Sequence, residues 1–382
     1  MQLTLIIVFW FSIFVLAYSY AIYPFLLIIF SRFFSKPVKT DEHFTPTVGV
    51  LVPAYNEENV IKRKIDNILS IDYPAEKISV WVGSDCSSDK TEEIVENYGD
   101  SRVHLWRAPQ RGGKTGVLNR LAPIIDSEII LFTDANTMHH ADCLRAIVRN
   151  FADPQVGGVA GHVEHITTSG EENAESLYRF FESKQKLMEG KIHSTISAFG
   201  GFYALRKKLF APIPANAYSN DDVLIPMSVV RRGYRVIYET EAVSEEDLAE
   251  KIAAEFSRRV RIGAGNFQAF FWLMDFLNPL RGWPWFCYLS HKVTRWFSPH
   301  FFILAVLSCS LLVVWNESVV YRTIFSAGTV LILSGIINKY FPLKLCRHVF
   351  YFLTMNSALF LGFFRFAGGI KTAAWSRTER TC

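Results

Sequence analysis

The chain has 382 residues, half of them hydrophobic, and 40 Lys and Arg against 36 Asp and Glu give it a net charge of +4. That length allows more than one folding unit, and the apolar share is high for a purely water-soluble protein. The charge is too small and too scattered for nucleic acid, so a membrane is the better partner.

Residues 3–30 (LTLIIVFWFSIFVLAYSYAIYPFLLIIF) carry no charge and exceed the roughly 20 residues that cross a bilayer core. A removable signal peptide would have a basic start, a shorter apolar core and a small-residue cleavage site, so residues 1–40 read as an anchor that stays. Arg32, Lys36 and Lys39 follow directly while no Lys or Arg precedes, and the positive-inside rule then puts the next domain in the cytoplasm. Six widely spaced cysteines (Cys86, Cys143, Cys287, Cys309, Cys346, Cys382) form no CxxC or metal-ligand pattern, as expected of reduced cytosolic thiols.

Residues 44–265 are mixed and charged, and they alternate strand runs with helical patterns. TVGVLVP, ISVWVGS, VHLWRA and EIILFTD read as strands. Between and after them, ENVIKRKIDNILS, DKTEEIVENY, GKTGVLNRLA and ADCLRAIVRNF read as helices, the second with Asp89 placed to cap it and Glu92 at its third position. Four such pairs predict an α/β domain with a mostly parallel sheet and helices on both faces. Ligands bind such sheets at the carboxyl ends of the strands.

The segments at those ends are PAYNEEN, SDCSSD, RAPQRGGK and TDAN. Together they supply carboxylates, backbone N–H groups and a cation in Arg111 or Lys114, which is what a nucleotide diphosphate requires. Asp134 and Asn136, closing the apolar run EIILF, form half of a divalent-cation site, although both are also ordinary turn residues. PAYNEEN has no glycine and GGKT does not follow the first strand, so neither a GxGxxG nor a P-loop site is present.

GGFYALR at 200–206 lets backbone approach a ligand closely or forms a bulge. Asn220, Asp221 and Asp222 open a helix whose Val223, Met227 and Val230 face a core, and Gly233 closes it. Paired acids at a helix start also complement its dipole. Residues 266–298 mix Trp and Phe with Arg and Lys, which suits helices in the headgroup layer or a membrane-packed loop. Three apolar stretches follow within 299–370, near 299–315, 319–337 and 348–366, before a tail at 371–382. Lys339, Lys344, Arg347 and His348 before the last stretch and Lys371, Arg377 and Arg380 after it both point inward, so its topology stays open.

VPAYNEE, SDCSSDKT, RGGKTGVLN, FTDAN, FGGFYALR and NDDVLIPMSVVRRGYRV, in that order, resemble the membrane-bound family-2 glycosyltransferases, the group of the cellulose, hyaluronan and poly-N-acetylglucosamine synthases. The resemblance implies a GT-A fold and inverting transfer of a sugar from a nucleotide diphosphate sugar, usually UDP-linked, with Mg²⁺ or Mn²⁺. The acceptor would be a lipid or glycan hydroxyl, in surface polysaccharide or glycolipid synthesis. Position by position it implies that Ala54, Tyr55 and Glu57 frame the uracil, that Asp85 reads the base, and that Lys114 and Asn119 lie near the nucleotide. Asp134 and Asn136 take the metal element, where the amide adds no charge and leaves open which of the two touches the metal. Gly200 and Gly201 would border the acceptor and donor sugar, and Asp222, beside Asp221, would be the general base.

RRVRIGAGNF, residues 258–267, stands where processive members carry Gln-x-x-Arg-Trp, and only Arg261 matches; Arg258 takes the Gln place and Ile262 the Trp place. A stacking floor for the acceptor is thereby lost, and the segment serves equally as a basic face on phospholipid. A processive, exporting synthase and a catalytically silent scaffold, suggested by Asn136, stand as alternatives.

Overall fold

The computed structural model describes residues 1–166, 174–247, 252–316, 318–337 and 343–370. Lys339, Lys371, Arg377, Arg380 and the 371–382 tail lie outside them. The chain divides into two compact units, one of residues 1–29, 172–181 and 253–369, the other of 30–171, 182–252 and 370–382.

The second unit is built on eight strands, β1 Val48–Ala54, β2 Ile78–Ser84, β3 Val103–Arg107, β4 Ile129–Thr133, β5 Thr137–His139, β6 Val156–Ile166, β7 Phe202–Arg206 and β8 Arg235–Asp247. Their order is β3-β2-β1-β4-β7-β6-β8-β5. The first four strands pair in parallel, as their sequence alternation with helices predicts. The sheet as a whole is mixed but mostly parallel: β6 and β8 also pair in parallel, while β7 runs antiparallel to both β4 and β6 and β5 runs antiparallel to β8. Every residue of β1 and β4 is buried, as expected of strands covered on both faces.

Helices α2 Ile61–Leu69, α3 Thr91–Glu96, α4 Gly113–Leu121, α5 Cys143–Val148 and α7 Asp221–Arg231 accompany the sheet, as does the latter part of α6 Ala174–Ile192. α2 turns Ile61, Lys64, Ile65 and Ile68 inward. One lysine in that apolar stripe is a feature of the site below. α7 closes as the sequence predicts, with Gly233 at φ +84° just past its end.

The first unit holds helices long and apolar enough to cross a membrane. The N-terminal one, α1 Gln2–Phe33, is continuous, with a π-helical turn at Tyr18–Ile22. α9 Ser298–Trp315, α10 Val319–Ile337 and α11 Lys344–Ala367 match the three predicted stretches, and the last is one unbroken helix. Phe9 of α1 packs with Ala305, Cys309 and Leu312 of α9 and with Tyr321 of α10. α8 Ile252–Trp272 runs straight through position 265, where the sequence placed a domain boundary. Its Gly263 lies under Leu359 and Gly362 of α11, where an added Cβ would meet the Leu359 Cα at 3.2 Å.

Candidate functional site

Because β1 to β4 run parallel, their carboxyl ends open on one edge of the sheet. The loops after β1 and β2 are knitted together there. Asn56 donates its backbone N–H to Ser87 Oγ at 3.1 Å and accepts the Ser88 N–H at 2.8 Å. The Glu57 N–H reaches Thr91 Oγ1 at 2.8 Å, and the Glu58 N–H reaches Asp89 at 3.1 Å. Asp89 also accepts the Thr91 N–H at 2.9 Å, as a helix-starting acid should. Glu92 departs from the expected capping box. It accepts from Ser84 Oγ at 2.6 Å and pairs with Arg107 Nε at 2.8 Å, because a guanidinium at the end of β3 is a stronger partner than a backbone amide.

Asp85, 1 % exposed, turns its carboxylate into the glycine loop. Its two oxygens accept the Gly112 N–H at 2.7 Å and the Gly113 N–H at 2.9 Å. Gly113 has φ +70° at the start of α4, a conformation that a side chain would oppose. Between the loops, the Arg111 guanidinium lies 3.7 Å from the centre of the Tyr55 ring, a close cation–π stack, and its Nε is 3.9 Å from Asp85.

At the centre stands Lys114. Its ammonium is 2.8 Å from Asp134 Oδ1 and 3.1 Å from Asp221 Oδ2, and it donates to the Gly200 carbonyl at 3.2 Å. Burial works against this charge, but Asp134 and Asp221 outweigh it and hold the lysine pKa above its ordinary value. Tyr203 donates its hydroxyl hydrogen to Asp221 at 3.0 Å, and burial followed by the Asp221 and Asp222 charges raises the phenol well above its usual range. Asp222, half-buried, stands beside Gly200, where an added Cβ would come 3.9 Å from its carboxyl carbon. At Gly201 an added Cβ would come 2.5 Å from Thr137 Oγ1, so that glycine serves close packing.

Asn56, Cys86 and Asn220 are the non-glycine residues with positive φ among the described residues, at 55°, 61° and 71°. All three lie in the segments just described. Strained backbone held in place by its surroundings concentrates at functional sites, and this clustering marks the strand-end edge as one.

A divalent cation fits the donors here. Asp134 is 34 % exposed and gives one oxygen to Lys114; Asn136 gives its amide hydrogen to Glu246 Oε1 at 3.1 Å. The second Asp134 oxygen and the Asn136 carbonyl have no protein partner among the described residues. Among those residues no cluster of three or more His, Cys, Asp or Glu could hold a metal alone. Two oxygens completed by substrate phosphates and water are a common arrangement for Mg²⁺.

The structure thus brings together Ala54, Tyr55, Glu57, Asp85, Lys114, Asp134, Asn136, Gly200, Gly201, Asp221 and Asp222 in one unit. Asn119 does not share that edge freely. Its amide donates to the Ile213 carbonyl at 2.7 Å and its carbonyl accepts the Ile213 N–H at 2.9 Å, so both ends are used in joining α4 to that loop. Arg258 and Arg261 lie on α8, in the other unit. Tyr203 and Glu246 are site neighbours that the sequence does not single out: Tyr203 lies inside the GGFYALR motif behind its glycines, and Glu246 lies at the end of β8, outside every motif.

A mixed α/β sheet whose polar loops gather at one strand-end edge is a GT-A-like fold. Residues 49–211 match the family model for glycosyl transferase family 2. The beta-monoglucosyldiacylglycerol synthase of Trichormus variabilis is 34 % identical over 155 residues, 38 % of this chain and 33 % of that protein. The enzyme of the same name from Synechocystis sp. is 28 % identical over 254 residues, 63 % of this chain and 50 % of its own length. The poly-beta-1,6-N-acetyl-D-glucosamine synthase of Staphylococcus aureus is 23 % identical over 269 residues, covering 65 % and 63 %. The first of these matches therefore span about a third to a half of the curated relatives. A solved structure, the mannosyltransferase PcManGT from Pyrobaculum calidifontis in complex with GDP-Man and Mn²⁺, aligns over 94 % of this chain and 99 % of that one, with TM-score 0.72 and 23 % identity, which shows a shared fold. Residues 49–211 thus match a family-2 glycosyl transferase domain, within a GT-A-like fold.

Proposed function

We propose that this protein is an inverting, metal-dependent glycosyltransferase at the cytoplasmic face of a membrane, moving a sugar from a nucleotide diphosphate sugar to the hydroxyl of a lipid-linked or glycan acceptor. The observation that carries this reading is Lys114, held between Asp134 and Asp221 at the strand ends. Relatives named for making a glycolipid and a polysaccharide support the acceptor class. The basic residues that follow α1 support the orientation.

An acceptor hydroxyl is a poor nucleophile until a base takes its proton, and Asp222 is the carboxylate assigned that task. Asp221, already engaged by Lys114 and Tyr203, orients the lysine instead. Lys114 meets the negative charge that gathers on the leaving diphosphate. Asp134 and Asn136 would hold Mg²⁺ or Mn²⁺, whose contribution is to offset that same charge. Asp85 fixes the loop that carries Arg111 and Lys114, while Ala54, Tyr55 and Glu57 frame the base.

The test is release of UDP or GDP from a panel of sugar donors by the detergent-purified full chain, with and without Mg²⁺ or Mn²⁺. Asp222→Asn should lower turnover by about 10²- to 10⁴-fold. Unchanged release in that variant removes Asp222 from the mechanism, and no release with any donor and acceptor removes the enzyme reading. Products sized on a gel should show limited addition, and a ladder of long chains would instead mean a processive synthase.

A further inference from the structure

The turn that carries Asp134 and Asn136 leaves β4 in the interior of the sheet and joins β5 at its edge, so neither ladder fixes residues 134–136. The grip comes from α2. Lys64 and Asn67, three residues apart, share one side of that helix. The Lys64 ammonium, fully buried, donates to Thr133 Oγ1 at 2.8 Å and to the Thr137 carbonyl, and lies 3.0 Å from His139 Nε2. Asn67 donates to the His139 carbonyl at 2.9 Å and accepts the His139 N–H at 2.8 Å. These contacts bracket the turn: Thr133 precedes Asp134, Thr137 follows Asn136, and His139 ends β5.

An isoleucine or leucine at position 64 would continue the stripe of Ile61, Ile65 and Ile68 without the cost of burying an amine. Burial, and then the neighbouring Lys64, push the His139 pKa well below its ordinary value, so the imidazole is neutral and offers Lys64 an acceptor nitrogen. Lys64 and His139 are internal, and with the half-buried Asn67 they touch the turn of Asp134 and Asn136 on both flanks, which is where a group that aims ligand oxygens belongs.

We propose that Lys64 and Asn67 are positioning residues that hold the Asp134 and Asn136 oxygens in one fixed arrangement for a divalent cation and the diphosphate it accompanies. This rests on the metal and nucleotide-sugar reading of the site. The probe is Mn²⁺, titrated into the detergent-purified full chain with UDP or GDP present and followed by the electron paramagnetic resonance signal of the free ion. Nucleotide affinity in EDTA is measured beside it.

Lys64→Met and Asn67→Ala should each weaken Mn²⁺ binding about 10- to 100-fold, the range for losing a support of metal ligands. Their nucleotide affinity without metal should stay within about twofold of wild type, a split that general loosening of the fold would not produce. Should Lys64→Met not fold, Asn67→Ala, at a half-buried position, decides alone. Mn²⁺ affinity unchanged in the folded variants overturns the inference, as does an equal loss of metal-free nucleotide binding. A wild-type chain that binds no Mn²⁺ with either nucleotide sinks the site reading itself, and the inference with it.

Discussion

Tyr203 donates its hydroxyl hydrogen to Asp221 Oδ2 at 3.0 Å from within the sheet, its ring stacked 4.9 Å from that of Phe132. The phenol keeps its proton across any working pH, since burial and the two neighbouring carboxylates raise it well above its usual range. Asp221 therefore has two permanent partners, Tyr203 and Lys114. Tyr203→Phe keeps the stacked ring and removes one donor, and should lower kcat about 10-fold, the scale of one buried hydrogen bond left unmade. Asp221→Asn should cost more than Tyr203→Phe, because it also takes away a counter-charge of Lys114. Steady-state kinetics on both variants checks the order; a reversed order would remove Asp221 as the orienting group.

Lys114→Met leaves Asp134 and Asp221 facing each other without a cation. Breaking a fully buried pair costs about 3–5 kcal/mol, and the 34 % exposure of Asp134 lowers the expected loss here to about 2 kcal/mol. Thermal melts of the two proteins at pH 7 measure this, and a variant that melts with wild type would argue that the lysine does not balance these acids.

Much of this site could be seen in the chain before any coordinates, and the reasons differ by residue. Strand-end polar segments are legible because parallel topology forces them to one edge, which is how Asp85, Lys114 and Asp134 become candidates, whereas Asp222, at the start of α7, comes from the family resemblance and not from strand order. Asn119 sat in the right helix but faces the Ile213 loop, since a one-residue step along a helix changes direction by about 100°. The antiparallel pairings of β7 are hidden, because β7 meets β4 across some 70 residues of intervening chain and periodicity does not report strand partners. Lys64 was visible as a charged residue on an apolar helical stripe. What it bonds to lies 69 to 75 residues away, which periodicity does not report.

Burial pushes the Lys64 pKa down to about 7 from 10.5, with Cys143 and Asp134 offsetting only part of the effect. Below pH 7 the amine is charged in both the folded and unfolded states, and the fold bears the full cost of burying it. Between 7 and 10.5 only the unfolded chain keeps the proton, so this residue makes stability rise with pH. Burial raises the Cys143 thiol to about 12 and works in the opposite sense above its ordinary 9, so the clean window is pH 7 to 9. Over it, wild type should gain about 2 to 3 kcal/mol relative to Lys64→Met. Denaturation midpoints at pH 7, 8 and 9 measure this, and parallel lines for the two proteins would mean Lys64 does not titrate there.

Gly263 and Gly362 let α8 and α11 meet backbone to backbone. A Cβ on Gly362 would come 2.7 Å from the Ala264 nitrogen and the Gly263 carbonyl carbon, and main-chain atoms cannot rotate aside. Close approach through small residues is how helices associate where lipid removes the hydrophobic drive, and here it joins the helix bearing Arg258 and Arg261 to an apolar span. Gly362→Val should therefore separate the two helices and cost about 1–3 kcal/mol, the range for overpacking. Gly328→Ala is the control, since a Cβ at that place in α10 meets nothing within 4 Å. Thermal melts in detergent should show a drop of several degrees for Gly362→Val and none for Gly328→Ala. Equal melting of the two variants would mean that this crossing contributes nothing to holding α8 in place.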